Sequence, residues 1–218
     1  MWRDLVLQSR GAGGVVRDNW LMKYFHIDSV YLPANKQLLE EGDTIRTADR
    51  FCNPYYEQIC DINHELPVSL GGPPINWRLR QFFSSNVVAK VPSGQLAGIT
   101  EKILRSYIRL LREMEFENVR RTHFEHLPSR TRCIWLSDSV DRAKDWQRTL
   151  GKSATTRIVS VEIDGRLHRA DGGHLPDEST SIAELRAAAE LYWRGLPHPK
   201  GECEYLLEGT MKVLGIVG

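Results

Sequence analysis

GECEYLLEGTMKVLGIVG (201–218) is an apolar run that carries two acids at its start. Successive side chains on a strand alternate faces, so Glu202, Glu204 and Leu206 share one face while Cys203, Tyr205 and Leu207 share the other. Neither face is polar throughout, which makes the segment a buried strand. A carboxylate is rarely buried without a cation or a job, so Glu204, between Cys203 and Tyr205, needs an explanation. CEYLL and MKVLGIV are expected to form a hairpin-like pair around Glu208-Gly209.

Working back along the chain, SIAELRAAAELYWRG (181–195) is an alanine-rich helix that stops at Gly195, and TTRIVSVEIDG (155–165) alternates as a strand. VDRAKDWQRTLG (140–151) is a short helix closed by Gly151, preceded by the strand TRCIWLSDS (131–139), which runs into an N-cap serine. From Thr100, TEKILRSYIRLLREMEFENVRRTHF (100–124) places Ile103, Tyr107, Leu110, Leu111 and Met114 at helical spacing. LMKYFHIDSVYL (21–32) is β-branched and aromatic, and ends at Pro33. Residues 35–99 hold five of the ten prolines and the LGGPP break at 70–74, so short helices and long loops are expected there. Residues 1–20 form a lead-in arm. The inventory is α+β in a single domain, 1–218, with no internal repeat.

Composition excludes some functions and names none. With 29 Lys+Arg against 28 Asp+Glu the formal net charge is +1, so attraction to nucleic acid must come from a local patch. Cys52, Cys60, Cys133 and Cys203 are scattered without CxxC pairs, and no apolar stretch is long enough to span a bilayer, which implies a reduced, cytoplasmic protein. There is no GxGxxG or GxxxxGK[ST] phosphate loop, no HExxH and no GxSxG. The histidines at 64, 123, 126, 168, 174 and 198 lack ligand spacing, so no metal is expected. His26, in KYFHIDS, joins Glu204 as a polar group in a strand that otherwise belongs to a core; taken alone, it is a hydrogen-bonded core or edge histidine.

KYFHIDSV (23–30), FENVRRTHFEHLPSRTRCIWLSDSVDRAKDW (116–146) and ECEYLLEGTMKVLGIV (202–217) together resemble the ADP-ribosyltransferase fold, in particular an uncharacterised bacterial family. Their order is similar to that of rifamycin ADP-ribosyltransferases and, near the terminal Glu, of toxins that ADP-ribosylate nucleic acid. The likeness covers 22–32 and 115–217; residues 33–99 match no part of it and are expected to be a family-specific insertion. It implies a split antiparallel β-sheet with short helices, and NAD-dependent transfer of ADP-ribose to a macromolecule. His26 is implied to hold the adenosine-side ribose of NAD, although Ile27 stands where a glycine usually follows. An aromatic residue packs on the nicotinamide, and Trp135, Tyr192 and Trp193 all qualify. Glu204 matches the catalytic glutamate, with Glu202 on the same face. Such a carboxylate stabilises the oxocarbenium-like charge that develops as the nicotinamide–ribose bond breaks, and grips the ribose 2′-OH. Ser129, Arg130 and Ser137 are candidate ligands of the pyrophosphate or ribose, since guanidinium forks suit phosphate oxygens. A surface ion pair is the other reading of Arg130.

Arg105, Arg109 and Arg112 fall on one stripe of the long helix, followed by Arg120, Arg121, Arg130 and Arg132. They form either a track for a nucleic-acid backbone or a solvated face compensated by Glu113, Glu115, Glu117 and Glu125. The acceptor implied is a nucleic acid, RNA before DNA, ahead of protein. Proteins of this resemblance include toxins of bacterial conflict and phage defence, which implies a neutralising antitoxin partner. The alternative is a non-enzymatic binding module for nucleic acid or protein, with His26 and Glu204 as a structural pair.

Overall fold

The computed structural model describes residues 23–31, 38–47, 53–60, 65–68, 75–78, 93–149, 154–176 and 180–217. The expected arm at 1–20 and the 70–74 break lie outside them. In chain order the elements are β1 (Tyr24–Tyr31), β2 (Thr44–Arg46), α1 (Pro54–Cys60), β3 (Glu65–Val68), β4 (Ile75–Arg78), α2 (Ser93–His123), β5 (Ile134–Leu136), α3 (Val140–Thr149), β6 (Ala154–Asp171), α4 (Ile182–Trp193) and β7 (Cys203–Ile216). A single 3-10 turn, Gly172–His174, follows β6. The fold is α+β around a five-stranded antiparallel sheet, with β3 and β4 forming a separate two-stranded ribbon.

Two long strands organise the sheet. β6 pairs with β1 through Ala154–Val161 and with β7 through Val159–Asp171, so it changes neighbour along its length. The far edge of β7 is shared, β5 lying along Tyr205–Leu207 and β2 along Thr210–Lys212. The backbone of Phe25 exchanges hydrogen bonds of 2.9 and 2.8 Å with that of Ser137 just after β5. The contacts β1–β6–β7–β5 therefore close on themselves.

Three sequence expectations need correction. Glu208-Gly209 is not a turn, because β7 runs through it as one strand. Gly209 sits opposite Gly165 of β6, whose φ is +141°, and a Cβ on Gly209 would meet the Asp164 carbonyl oxygen at 2.1 Å. The two glycines permit a close backbone approach rather than a reversal. For the same reason β6 does not stop at Gly165. Finally, 33–99 is not wholly an appendage: β2 belongs to the main sheet, and Asn53 fixes the start of α1 by donating Nδ2 to the Cys133 carbonyl at 2.7 Å.

The helices largely follow their signals. Ser181 caps α4, and a reciprocal bond from Glu184 completes the capping box. α2 begins at Ser93, a turn and more before Thr100, since Leu96 and Ile99 extend the apolar spacing. Alternation on β7 sorts two cores. Tyr205 and Leu207 pack with Tyr24, Val159 and Leu136, while Leu206 packs with Phe116 of α2 and with Tyr192 and Trp193 of α4. The Trp193 indole donates to the Phe116 carbonyl at 2.8 Å, which satisfies its buried N–H and ties α4 to α2. Glu204 shares the face of Leu206 and so points into this second core. No described helix is long and apolar enough to cross a membrane.

Candidate functional site

The stretch leading into Glu204 is pinned before β7 begins. The Asp171 carboxylate, at the end of β6, accepts backbone N–H bonds from Gly173 (2.9 Å), His198 (3.0 Å) and Glu202 (3.0 Å). Burial pushes the Asp171 carboxyl up, but these three donors outweigh it and hold it below the ordinary range. Glu204, 4% exposed, then turns its carboxylate towards α2 and α4.

There it meets Arg130, from the loop after α2. Arg130 Nη1 donates to Glu204 Oε1 at 2.5 Å and to the Tyr192 hydroxyl, and that hydroxyl itself donates to the same Oε1. The other side of the guanidinium is held by Glu113 of α2, with Nε to Oε2 at 2.8 Å and Nη2 to Oε1 at 3.3 Å. Arg112 adds a bond from Nη2 to Glu113 Oε1 at 3.2 Å, and reaches the Tyr55 hydroxyl and the Pro176 carbonyl. Two guanidiniums and two carboxylates are thus buried together with their charges balanced.

Each ionisation follows from this packing. Burial disfavours the Arg130 charge, yet Glu113 and Glu204 hold its pKa well above the ordinary value. Burial pushes the Glu113 carboxyl up, but Arg130 and Arg112 outweigh it and keep it below its usual range. Tyr192, raised well above the ordinary phenol value by burial, stays a neutral donor. The Cys133 thiol, likewise pushed up by burial, is not a nucleophile here.

Of the residues singled out from the sequence, Glu204, Arg130 and Tyr192 come together, and Trp135 joins them with the Arg130 Cζ lying 5.5 Å from its ring centroid. Trp135 also meets Tyr55 edge-on at 5.4 Å. Its Nε1 is buried and has no partner among the described residues. His26 is not part of this group. Its ring shares the face of Tyr24 towards the other core, its Nδ1 lies 2.9 Å from the Trp135 carbonyl, and burial lowers its pKa and favours the neutral form. His26 and Glu204 therefore do not form a pair.

Other expectations fail on burial. All three Arg130 nitrogens are already committed, so no fork remains for a pyrophosphate. Ser129 is fully buried, its hydroxyl bound to Glu117 at 2.9 Å, and Ser137 is buried where its backbone bonds to Phe25. Tyr192 and Trp193 offer no exposed ring face, which leaves Trp135 as the accessible aromatic of the three. Arg112 lies inside the core, so the supposed stripe on α2 shrinks to Arg105 and Arg109, both exposed, with Arg105 paired to Glu101 at 2.9 Å. Among the described residues no cluster of three metal-ligating side chains occurs.

Tyr55 carried no signal in the sequence, and Glu113, expected with Glu117 on a solvated, compensated face of the helix, is instead buried against Arg130. The signal for Glu113 was available: residues three and four apart on a helix are neighbours, so it lies on the same face as Phe116 and Glu117. Those two positions are buried, and they carry Glu113 inward with them.

The chain belongs to the family described as "Protein of unknown function (DUF2441)", whose model matches residues 24–218. The match begins at the first residue of β1 and includes every element described above. No curated protein matches the chain.

Proposed function

We propose that this DUF2441 chain is an NAD-dependent ADP-ribosyltransferase in which Glu204 is the catalytic carboxylate. One observation carries it: both hydrogen bonds to Glu204 fall on Oε1, and Oε2 accepts none among the described residues. An acid fixed by one oxygen and open at the other suits a group that must grip a sugar hydroxyl and face a developing positive charge. As the nicotinamide–ribose bond lengthens, the ribose acquires oxocarbenium character; a preorganised carboxylate in a water-poor site stabilises that charge without having to reorganise. Arg130 and Tyr192 supply the orientation. Trp135 supplies a partly exposed ring next to Arg130 on which an aromatic ring can stack. His26 faces the other core, with its Nδ1 2.9 Å from the Trp135 carbonyl.

The change of neighbour along β6 supports the split antiparallel sheet of the ADP-ribosyltransferase type. The acceptor is a nucleic acid, RNA before DNA, and by the same resemblance the setting is that of a toxin held in check by an antitoxin. The exposed Arg105 and Arg109 favour a polyanionic acceptor.

A second reading, a binding module with Glu204 as a structural strut, is favoured by the near-complete burial of the carboxylate and its pairing with Arg130. Incubation with NAD labelled in its adenosine half, alongside separate pools of RNA, DNA and protein, distinguishes the two. Free nicotinamide and labelled RNA are the expected result. Label on protein alone refutes the acceptor, and intact NAD in every pool refutes the transferase and leaves the strut.

A further inference from the structure

We infer that Glu113 is a positioning residue for the Glu204 carboxylate and acts through Arg130. The inference deepens the transferase proposal and rests on it for the catalytic meaning, though not for the link itself. Three parts of the fold meet at Arg130: α2 through Glu113, α4 through Tyr192 and β7 through Glu204. A guanidinium is planar, so fixing one edge fixes the direction of the other. Glu113 takes the Nε/Nη2 edge with both carboxylate oxygens, at 2.8 and 3.3 Å, which turns Nη1 towards Glu204 Oε1 and the Tyr192 hydroxyl. Glu113 cannot swing away, because Arg112 holds its Oε1 at 3.2 Å while bonding the Tyr55 hydroxyl at 3.2 Å and the Pro176 carbonyl at 3.1 Å.

The consequence falls on a single oxygen. With Nη1 and the Tyr192 hydroxyl both converging on Oε1, the Glu204 carboxylate has one orientation, and Oε2 is the oxygen left open. Were Glu113 lost, the guanidinium would keep its charge but lose the hold on its far edge. Glu204 would then be paired without being aimed. A residue that merely neutralises charge affects stability; one that aims the carboxylate also affects turnover at saturating substrate.

The first test needs no activity. Glu113→Gln, Glu204→Gln and the double variant are compared by urea unfolding. If the link exists, the change in folding equilibrium for the double variant differs from the product of the single changes by about 3- to 100-fold. Strictly multiplicative changes overturn the link whether or not the protein cleaves NAD. The second test measures nicotinamide release by Glu113→Gln. The expected result is a fall in kcat of about 10- to 100-fold, with KM for NAD held within about twofold and part of the loss restored in Glu113→Asp. A folded Glu113→Gln with wild-type kcat overturns the positioning role. Should Glu113→Gln fail to fold, Glu113→Asp takes its place: it keeps the charge but shortens the reach, and an unchanged kcat there has the same force. A wild-type protein that leaves NAD intact refutes the transferase, and the unfolding cycle still decides the link.

Discussion

Arg130→Met removes the cation between Glu113 and Glu204 while keeping a side chain of similar length. The carboxylates left behind, Glu113 and Glu204, are 2% and 4% exposed, so water compensates little of their charge. Breaking a buried ion pair by deleting one partner costs about 3–5 kcal/mol, mostly from the uncompensated charge. Here two carboxylates lose their shared partner, but Arg112 still reaches Glu113 at 3.2 Å, which argues for the middle of the range. About 4 kcal/mol corresponds to a fall in Tm of roughly 8–16 °C for a chain of this size. The pH dependence has a definite sign. In the wild type the Glu113 carboxyl is held below its unfolded value, so it contributes stability that is present above about pH 4.3 and is lost as pH falls through the lower folded value. In the variant burial acts unopposed by Arg130, the folded carboxyl rises, and protonation becomes stabilising. The penalty therefore shrinks between pH 7 and pH 5. Urea unfolding followed by fluorescence of the six tryptophans measures both effects. A loss under about 1 kcal/mol at pH 7, or one that does not change with pH, would refute the account of the network as desolvated and charge-balanced.

Gly209→Ala puts a methyl group against the Asp164 carbonyl, so a loss of about 3 kcal/mol or outright failure to fold is expected; a melting temperature unchanged from wild type would show that the β6–β7 crossing has slack. Replacing Arg105 and Arg109 together with Gln should weaken RNA binding and reduce the slope of log affinity against log salt by about 1.4, read by fluorescence anisotropy of a labelled single strand. An unaltered slope would remove α2 from the acceptor surface.

Much of the site was legible in the sequence, but its wiring was not. Glu204 stood out because an acid flanked by Cys203 and Tyr205 on an apolar strand is locally inconsistent. Its partner did not, since Arg130 lies 74 residues earlier and nothing in the loop around Ser129 and Arg130 distinguishes an inward guanidinium from an outward one. The helical period placed Arg112 with Arg105 and Arg109, yet α2 is buried only towards its C-terminal end, so one stripe passes from solvent into the core along a single helix. Gly165 and Gly209 each carry an ordinary turn signal. Only their being opposite one another, which pairing alone reveals, shows that they serve close approach. β2 is three residues long, too short for any periodicity to register in the sequence. The starts of α3 and α4 and the end of α4 are written locally, in Ser139, Ser181 and Gly195, whereas Gly151 lies outside the described residues.

The proposed chemistry rests on one carboxylate and one bond. Nicotinamide released from NAD by the purified wild-type protein and by Glu204→Gln, a nearly isosteric change that keeps a hydrogen-bonding partner for Arg130 but cannot balance oxocarbenium charge, tests it directly. Measurable release by the wild type is expected, with a loss of about 100-fold or more in a Gln variant that unfolds cooperatively. No release by the wild type, or wild-type release by the folded Gln variant, would contradict it.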